Sequence, residues 1–210
     1  MTVGALEPSL QPLGALIEER LGLRFHPGNA DLLLRGLRRI GAADPDGAAA
    51  LCAELGRSPL TRPVWQRLIA EIAVGETYFF RHPEDFTVLQ RRVVPALREA
   101  GLTRLRAWSA GCASGEEAYS LAICLGAAAG ALGIEVLGTD LNAQALATAE
   151  QGLYGPRSLR GTAPAWESTL LPGSDGLRRV PSELRRRVRF ALHNLAEPGA
   201  PAALAGSGCE

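Results

Sequence analysis

Apolar positions set the first half of this chain in helical register. Leu10, Leu13, Leu16, Ile17 and Leu21 recur at helical spacing behind Ser9, so the spacing predicts a helix over 9–21, capped by Ser9 and ended by Gly22. Asp31 is placed to cap a second helix over 32–40, stopped by Gly41. Its stripe is Leu33, Leu34, Leu37 and Ile40, while Arg35, Arg38 and Arg39 gather on another side. A short third helix is expected over 48–55. Pro63 stands where a first helical turn begins, and Trp65, Leu68, Ile69 and Ile72 continue at the same spacing. No strand pattern precedes residue 75, so residues 1–74 are expected to form a small all-helical domain.

Beyond that point the period changes. Pro83, Glu84 and Asp85 make a helix start, with acidic groups at the positive end of the helix dipole. Phe86, Leu89, Val93, Val94 and Leu97 give that helix an apolar face, and Gly101 closes it. A strand over 105–108, a glycine turn, a helix over 116–129, a strand over 134–138, an acidic turn and a helix over 143–151 follow. This alternation is the βαβ pattern of a doubly wound α/β sheet. The uncharged run 118–134 approaches the length of a short membrane span, yet it is rich in alanine and contains Gly126, Gly130 and Gly133. A small-residue helix packed on a parallel sheet accounts for it better.

Composition excludes several classes. The chain has 210 residues, and its 22 basic and 22 acidic side chains cancel, so no overall field favours nucleic acid or membrane. Cys52, Cys112, Cys124 and Cys209 form no C-x-x-C pair, and His26, His82 and His193 are far apart, which argues against a metal site. No secretory signal pattern opens the sequence, so a cytoplasmic location without structural disulfides is expected.

The candidate chemistry lies between the first strand and its helix, in Trp108-Ser109-Ala110-Gly111-Cys112-Ala113-Ser114-Gly115-Glu116-Glu117. Small residues let the backbone approach a nucleotide, and Asp140 follows the second strand roughly 25 residues on, where a carboxylate can accept from ribose hydroxyls. A dinucleotide fingerprint requires G-x-G-x-x-G with helix N–H groups aimed at a pyrophosphate. Here Gly111 and Gly115 are separated by three other residues, and two glutamates stand at the helix start. Carboxylates there repel a pyrophosphate and suit the ammonium group of a methionine moiety, which favours S-adenosylmethionine. Two structural readings stand beside this one. Ser114 and Glu117 form an S-x-x-E capping box, and Asp140 with Asn142 could simply cap the next helix.

At this point the sequence resembles one family. Trp108-Ser-Ala-Gly-Cys-Ala-Ser-Gly-Glu-Glu-Ala-Tyr-Ser-Leu-Ala122 is similar to the signature of the CheR-type chemoreceptor (protein-glutamate O-) methyltransferases. Further blocks agree in order. Gly75-Glu-Thr-Tyr-Phe-Phe-Arg81 resembles that family's N-E-T-x-F-F-R segment, and Gly138-Thr-Asp-Leu-Asn142 resembles its second-strand acid. Ala145-Leu-Ala-Thr-Ala-Glu-Gln-Gly-Leu-Tyr154 resembles the helix beyond, and Arg187-Val-Arg-Phe-Ala-Leu-His-Asn-Leu195 the third strand.

The resemblance implies transfer of a methyl group from S-adenosylmethionine to glutamate side chains of chemotaxis receptors. It implies Thr77 and Arg81 near the cofactor and the transfer centre, with Arg81 orienting the acceptor. It places Glu117 on the methionine end beside Gly111 of the turn, Asp140 on the ribose, and Asn194 with Leu195 at the adenine. It also gives Arg35, Arg38 and Arg39 to acidic receptor helices, although a solvated helix face explains them equally well. Gly75 departs from the family asparagine. A small β-subdomain is expected around 161–188, within a methyltransferase domain over 75–210. The family continues past the Asn-Leu block with a C-R-N-V-x-I-Y-F type segment and further strands, one of which pairs beside the first. The expected architecture is therefore an N-terminal all-helical domain followed by an incomplete Rossmann-like domain, the chain being a truncated piece of a larger enzyme. Two other classes stay open: a fragment that only binds receptor or cofactor, and a nicotinamide-dependent oxidoreductase.

Overall fold

The computed structural model describes residues 6–199 and residue 201. The Gly208-Cys209-Glu210 end lies outside the described residues. Contacts divide the chain into two units. The first runs to Val74 and also takes in Leu141–Gln144 and Asn194–Gly199, and the second holds Gly75–Asp140 and Ala145–His193.

The first unit is helical: α1 (Gln11–Leu21), α2 (Ala30–Ile40), α3 (Pro45–Gly56) and α4 (Pro63–Ile72). The predicted stripes form one core, in which Leu13, Ile17, Leu33, Leu37, Leu55, Trp65, Leu68 and Ile69 are fully buried. Burial of each such aliphatic or aromatic side chain contributes about 1.5–3 kcal/mol, which accounts for helices too short to persist alone. Trp65 stays buried because its indole N–H is shared between the carbonyls of Leu55 and Ser58, both at 3.1 Å.

The helix starts differ from expectation. Ser9 caps nothing; it lies inside a 3-10 turn, Pro8–Leu10, that leads into α1 without a side-chain cap. Asn29 rather than Asp31 precedes α2, and Asp31 sits in its first turn. There its charge still favours the positive dipole end. The third helix begins earlier than its apolar residues suggested, since Asp44 accepts from Gly47 N–H and Pro45 sets the first turn.

In the second unit, the helix after Pro83 divides into α5 (Pro83–Val88) and α6 (Val94–Glu99), joined by a π-helical turn, Leu89–Val93. The βαβ elements are β1 (Arg104–Ala110), α7 (Glu116–Ala128), β2 (Gly133–Asp140) and α8 (Ala143–Gln151). After α8 come short pieces: β3 (Leu153–Tyr154), α9 (Pro164–Glu167), β4 (Leu171–Pro172), β5 (Arg178–Arg179) and α10 (Ser182–Arg185), then β6 (Val188–Leu192). The sheet is parallel in the order β1-β2-β6, with Trp108 opposite Leu137 and Gly138 opposite Phe190. Among the described residues β1 pairs with β2 alone. The strands β3, β5 and β4 form a separate small antiparallel sheet.

The run 118–134 resolves into α7 and the start of β2; no helix among the described residues is long and apolar enough to cross a membrane. Ala118, Ala122, Cys124 and Leu125 of α7 are buried against the sheet, as small side chains on a close-packed helix require.

Candidate functional site

The turn between β1 and α7 is pinned from below by the end of β2. The N–H groups of Gly111 and Cys112 both donate to Thr139 O, at 2.8 and 2.9 Å. Ala113 N–H donates to Asp140 Oδ2 at 2.8 Å. The indole N–H of Trp108 donates to Thr139 Oγ1 at 2.9 Å. Asp140 therefore stands at the carboxyl end of β2 beside the turn, which is where ligands bind in open α/β sheets. Asn142, just before α8, contributes a helix-start hydrogen bond, its Oδ1 accepting from Gln144 N–H at 3.0 Å.

The capping box is not formed. Gly115 is the residue before α7, at φ 92°, and no side chain caps the helix. Ser114 Oγ donates instead to Glu116 Oε2 at 2.7 Å, and Glu117 Oε1 accepts from Ser109 Oγ at 2.6 Å. Adjacent glutamates thus have opposite fates. Glu116 is 2 % exposed and spent on protein hydroxyls, whereas Glu117 is exposed at the mouth of the turn. The helix N-terminus favours both charges.

Two glycines in this turn do different work. Gly115 has a positive φ, and an added Cβ would lie 2.6 Å from Ala149 Cβ and 3.0 Å from Phe190 Cζ. Gly111, at φ 78°, would meet nothing within 4 Å. One glycine permits close packing, the other faces open space. Ala113 also holds a positive φ of 47° without being glycine, a strain that a functional turn can retain. Cys112 is buried. Burial first, and the Asp140 carboxylate second, push its thiol up to about 12.

The segment carrying Thr77 and Arg81 belongs to the same unit. Thr77 is half-buried, and exposed Arg81 donates from Nη1 to Glu76 O at 2.9 Å with its guanidinium 5.9 Å from the Tyr78 ring. Among the described residues Arg81 forms no ion pair with Glu84 or Asp85, and Glu84 lies 3.8 Å from His82. Phe79 and Phe80 are core residues, Phe80 stacked on Trp166 with ring centroids 4.8 Å apart.

Asn194 and Leu195 are counted with the helical unit. Asn194 is buried; its amide donates to Arg20 O at 2.7 Å and its Oδ1 accepts from Ala196 N–H at 3.1 Å, while Leu195 is exposed. Arg35, Arg38 and Arg39 are all exposed, and Arg39 pairs with Glu71 at 2.9 Å. His193 donates its N–H to Asp140 O at 3.0 Å, and its Nε2 is buried without a partner among the described residues.

Residues 75–204 match the family model of the CheR methyltransferase SAM-binding domain. The chain belongs to the CheR methyltransferase family. Its cofactor is S-adenosylmethionine, and the described turn fits it, with open space at Gly111, an exposed carboxylate at Glu117 and an acid at the end of β2. Among CheR relatives, the chain is 33% identical over 186 residues to the probable biofilm formation methyltransferase WspC of Pseudomonas putida, covering 87% of this chain and 43% of that protein. It is 35% identical over 128 residues to the chemotaxis protein methyltransferase of Listeria innocua, covering 60% of this chain and 48% of that protein. A chemotaxis protein methyltransferase of Klebsiella aerogenes is 33% identical over 193 residues, with 87% of this chain and 63% of that protein covered. The chain spans less than half the length of the first of these CheR relatives.

Residue patterns missed three parts of the site. Ser109 is buried at 1 % exposure and orients Glu117, a role its inward position on β1 could have signalled. Ser158 and Tyr154 contact the turn from some 40 residues away, through Glu116 Oε1 and Ser114 O, and no local pattern announces either.

Proposed function

We propose that this chain carries the cofactor half of an enzyme that methylates glutamate side chains of chemotaxis receptors in the cytoplasm. The observation that supports it best is the exposed Glu117 at the head of α7, held by Ser109 beside a turn whose Gly111 faces open space. A carboxylate in that place attracts the ammonium group of a methionine moiety and repels a pyrophosphate, which counts against the nicotinamide reading. In this reading Glu117 holds the methionine end, Gly111 lets it approach and Asp140 holds the ribose. Asn194 and Leu195 serve the adenine, as the family resemblance implies. Residues 1–74 form a receptor-facing helical domain presenting Arg35, Arg38 and Arg39. Residues 75–210 form part of a doubly wound methyltransferase domain, with its small β-subdomain around 161–188.

A glutamate acceptor has an ordinary pKa near ~4.3 and is already a carboxylate at neutral pH, so no residue is needed as a general base. When bound, S-adenosylmethionine supplies a methyl group on a sulfonium, which an acceptor oxygen takes up as the C–S bond breaks, leaving a methyl ester and a neutral thioether. The protein's part is alignment and exclusion of water. Arg81, its guanidinium held by Glu76 O, orients the incoming carboxylate through a charge-assisted hydrogen bond, and Thr77 lines the approach.

The test is methyl transfer to receptor cytoplasmic fragments, measured as alkali-labile label from methyl-labelled S-adenosylmethionine. It is run on this chain and on the full product of its gene, alongside calorimetry with S-adenosylmethionine and with NAD. The reading expects cofactor binding that weakens at least tenfold in Glu117→Gln, and transfer that falls far more than binding in Arg81→Ala. Binding of NAD instead would overturn it. Binding without transfer in the full product would favour the binding-only alternative.

A further inference from the structure

We infer that Glu116 is a positioning residue that couples the cofactor turn to the Thr77–Arg81 segment through Ser158 and Ser120. The inference rests on the cofactor reading of the turn. A buried carboxylate is costly unless its oxygens are satisfied, and each oxygen of Glu116 takes one hydroxyl. Ser114 Oγ reaches Oε2 and Ser158 Oγ reaches Oε1, both at 2.7 Å. Ser114 belongs to the turn. Ser158 belongs to the 3-10 turn Pro156–Leu159, and its carbonyl accepts Phe79 N–H at 2.8 Å.

A second path runs through the backbone of the same glutamate. Ser120 Oγ donates to Glu116 O at 2.6 Å and accepts Phe80 N–H at 3.0 Å. The amides of Phe79 and Phe80 are therefore each one residue removed from Glu116. The loop they belong to is strained, with Phe80 at φ 53°, where a bulky side chain stays only if its surroundings hold it. Tyr154 closes the circuit, its hydroxyl donating to Ser114 O at 2.7 Å and its ring standing edge-on to Phe79 at 4.9 Å. Thr162 Oγ1 donates to Phe79 O at 3.3 Å from the same side.

Three sequence segments thus meet at one carboxylate. Movement of the turn about a ligand is transmitted to the segment bearing Thr77 and Arg81, and the strained Phe80 conformation is fixed before any acceptor arrives. Adjacent Glu117 faces outward, so the Glu-Glu pair divides the labour: one holds the ligand, the other holds the loop that meets the acceptor.

Amide hydrogen exchange on the whole chain tests this with Ser158→Ala, Glu116→Gln and the hydroxyl-retaining Ser158→Thr. Without ligand, Ser158→Ala and Glu116→Gln should speed exchange at Phe79 and Phe80 by about tenfold and leave Val136 and Leu137 of β2 unchanged, whereas Ser158→Thr should keep wild-type rates. Unchanged rates at Phe79 and Phe80, or equal acceleration throughout β2, would overturn the inference. With S-adenosylmethionine, slowing at Cys112 and Ala113 should spread to Phe79 and Phe80 in the wild type and stay confined to the turn in Ser158→Ala. Spread in both proteins would also overturn it. Failure of the wild type to slow at Cys112 and Ala113 would count against the cofactor reading alone, and the ligand-free rates would still decide the coupling.

Discussion

The helical unit and the β1–α7 turn are both well ordered by close contacts, yet they are held by different forces. In the helical unit, Leu33, Leu37, Trp65 and Leu68 interlock through apolar surface, and each is placed by a short-range period within its own helix. In the turn, order comes from polar groups: Thr139 O, Asp140 Oδ2, Ser109 Oγ and the hydroxyls on Glu116. Apolar packing is non-directional and tolerates small shifts, whereas a hydrogen-bonded turn with positive φ at Gly111, Ala113 and Gly115 holds one conformation or fails. The first is suited to a scaffold and the second to a ligand cradle.

That contrast can be broken most severely at Trp65. Trp65→Ala leaves a cavity and strips the carbonyls of Leu55 and Ser58 of their shared donor, so a loss of about 3–5 kcal/mol is expected in denaturant unfolding. Exchange protection in β1 and β2 should survive if the units unfold separately.

Within the turn, Gly115→Ala forces a Cβ to 2.6 Å from Ala149 and adds left-handed strain, for a combined cost of about 3 kcal/mol. Thermal unfolding of the second unit measures it.

Alkali gives a further separation. The folded pKa of Cys112 is raised from 9.0 to about 12, so the folded state keeps a proton that the unfolded chain releases. Its contribution is complete below pH 9 and is lost as pH rises through about 12, amounting to about 2 kcal/mol near pH 10.5. Tyr119, pushed up from 10.0 to about 12 by burial, works in the same direction. A pH titration of stability should therefore fall in this window, and more gently in Cys112→Ala.

The smallest effect is expected at Gly111. Gly111→Ala meets no neighbour and bears only left-handed strain of about 1 kcal/mol, yet on the cofactor reading proposed above it puts a methyl group in the path of the ligand. Calorimetry should show affinity falling more than stability. An equal fall in both would mean that Gly111 serves the fold alone.

Most of the fold was legible because its signals are local. The stripes of α1, α2 and α4, and the strand–helix alternation from β1 to α8, appear where the periods placed them. Helix starts were less legible: Ser9 and Asp31 have the chemistry of caps, but the chain enters α1 through a 3-10 turn and α2 through Asn29. At the site, the glycines, the strand-end acid and the paired glutamates were all readable as residue types. Their partners were not. Ser114 looked like a cap for Glu117, and only the folded chain shows it bound to Glu116 while Ser109 takes Glu117.

The sequence by itself determined the element types and placed a nucleotide turn between β1 and α7, because hydrophobic period and small-residue turns act over a few residues; the glutamates at the helix start favoured S-adenosylmethionine over a dinucleotide. Tertiary structure decided which glutamate is buried and which is exposed, since that depends on Ser158 arriving from 42 positions away. It also decided that Gly115 is a packing glycine and Gly111 an open one, through Ala149, Phe190 and Tyr154. Burial and hydrogen-bond satisfaction are properties of neighbours in space, and a one-dimensional pattern does not contain them.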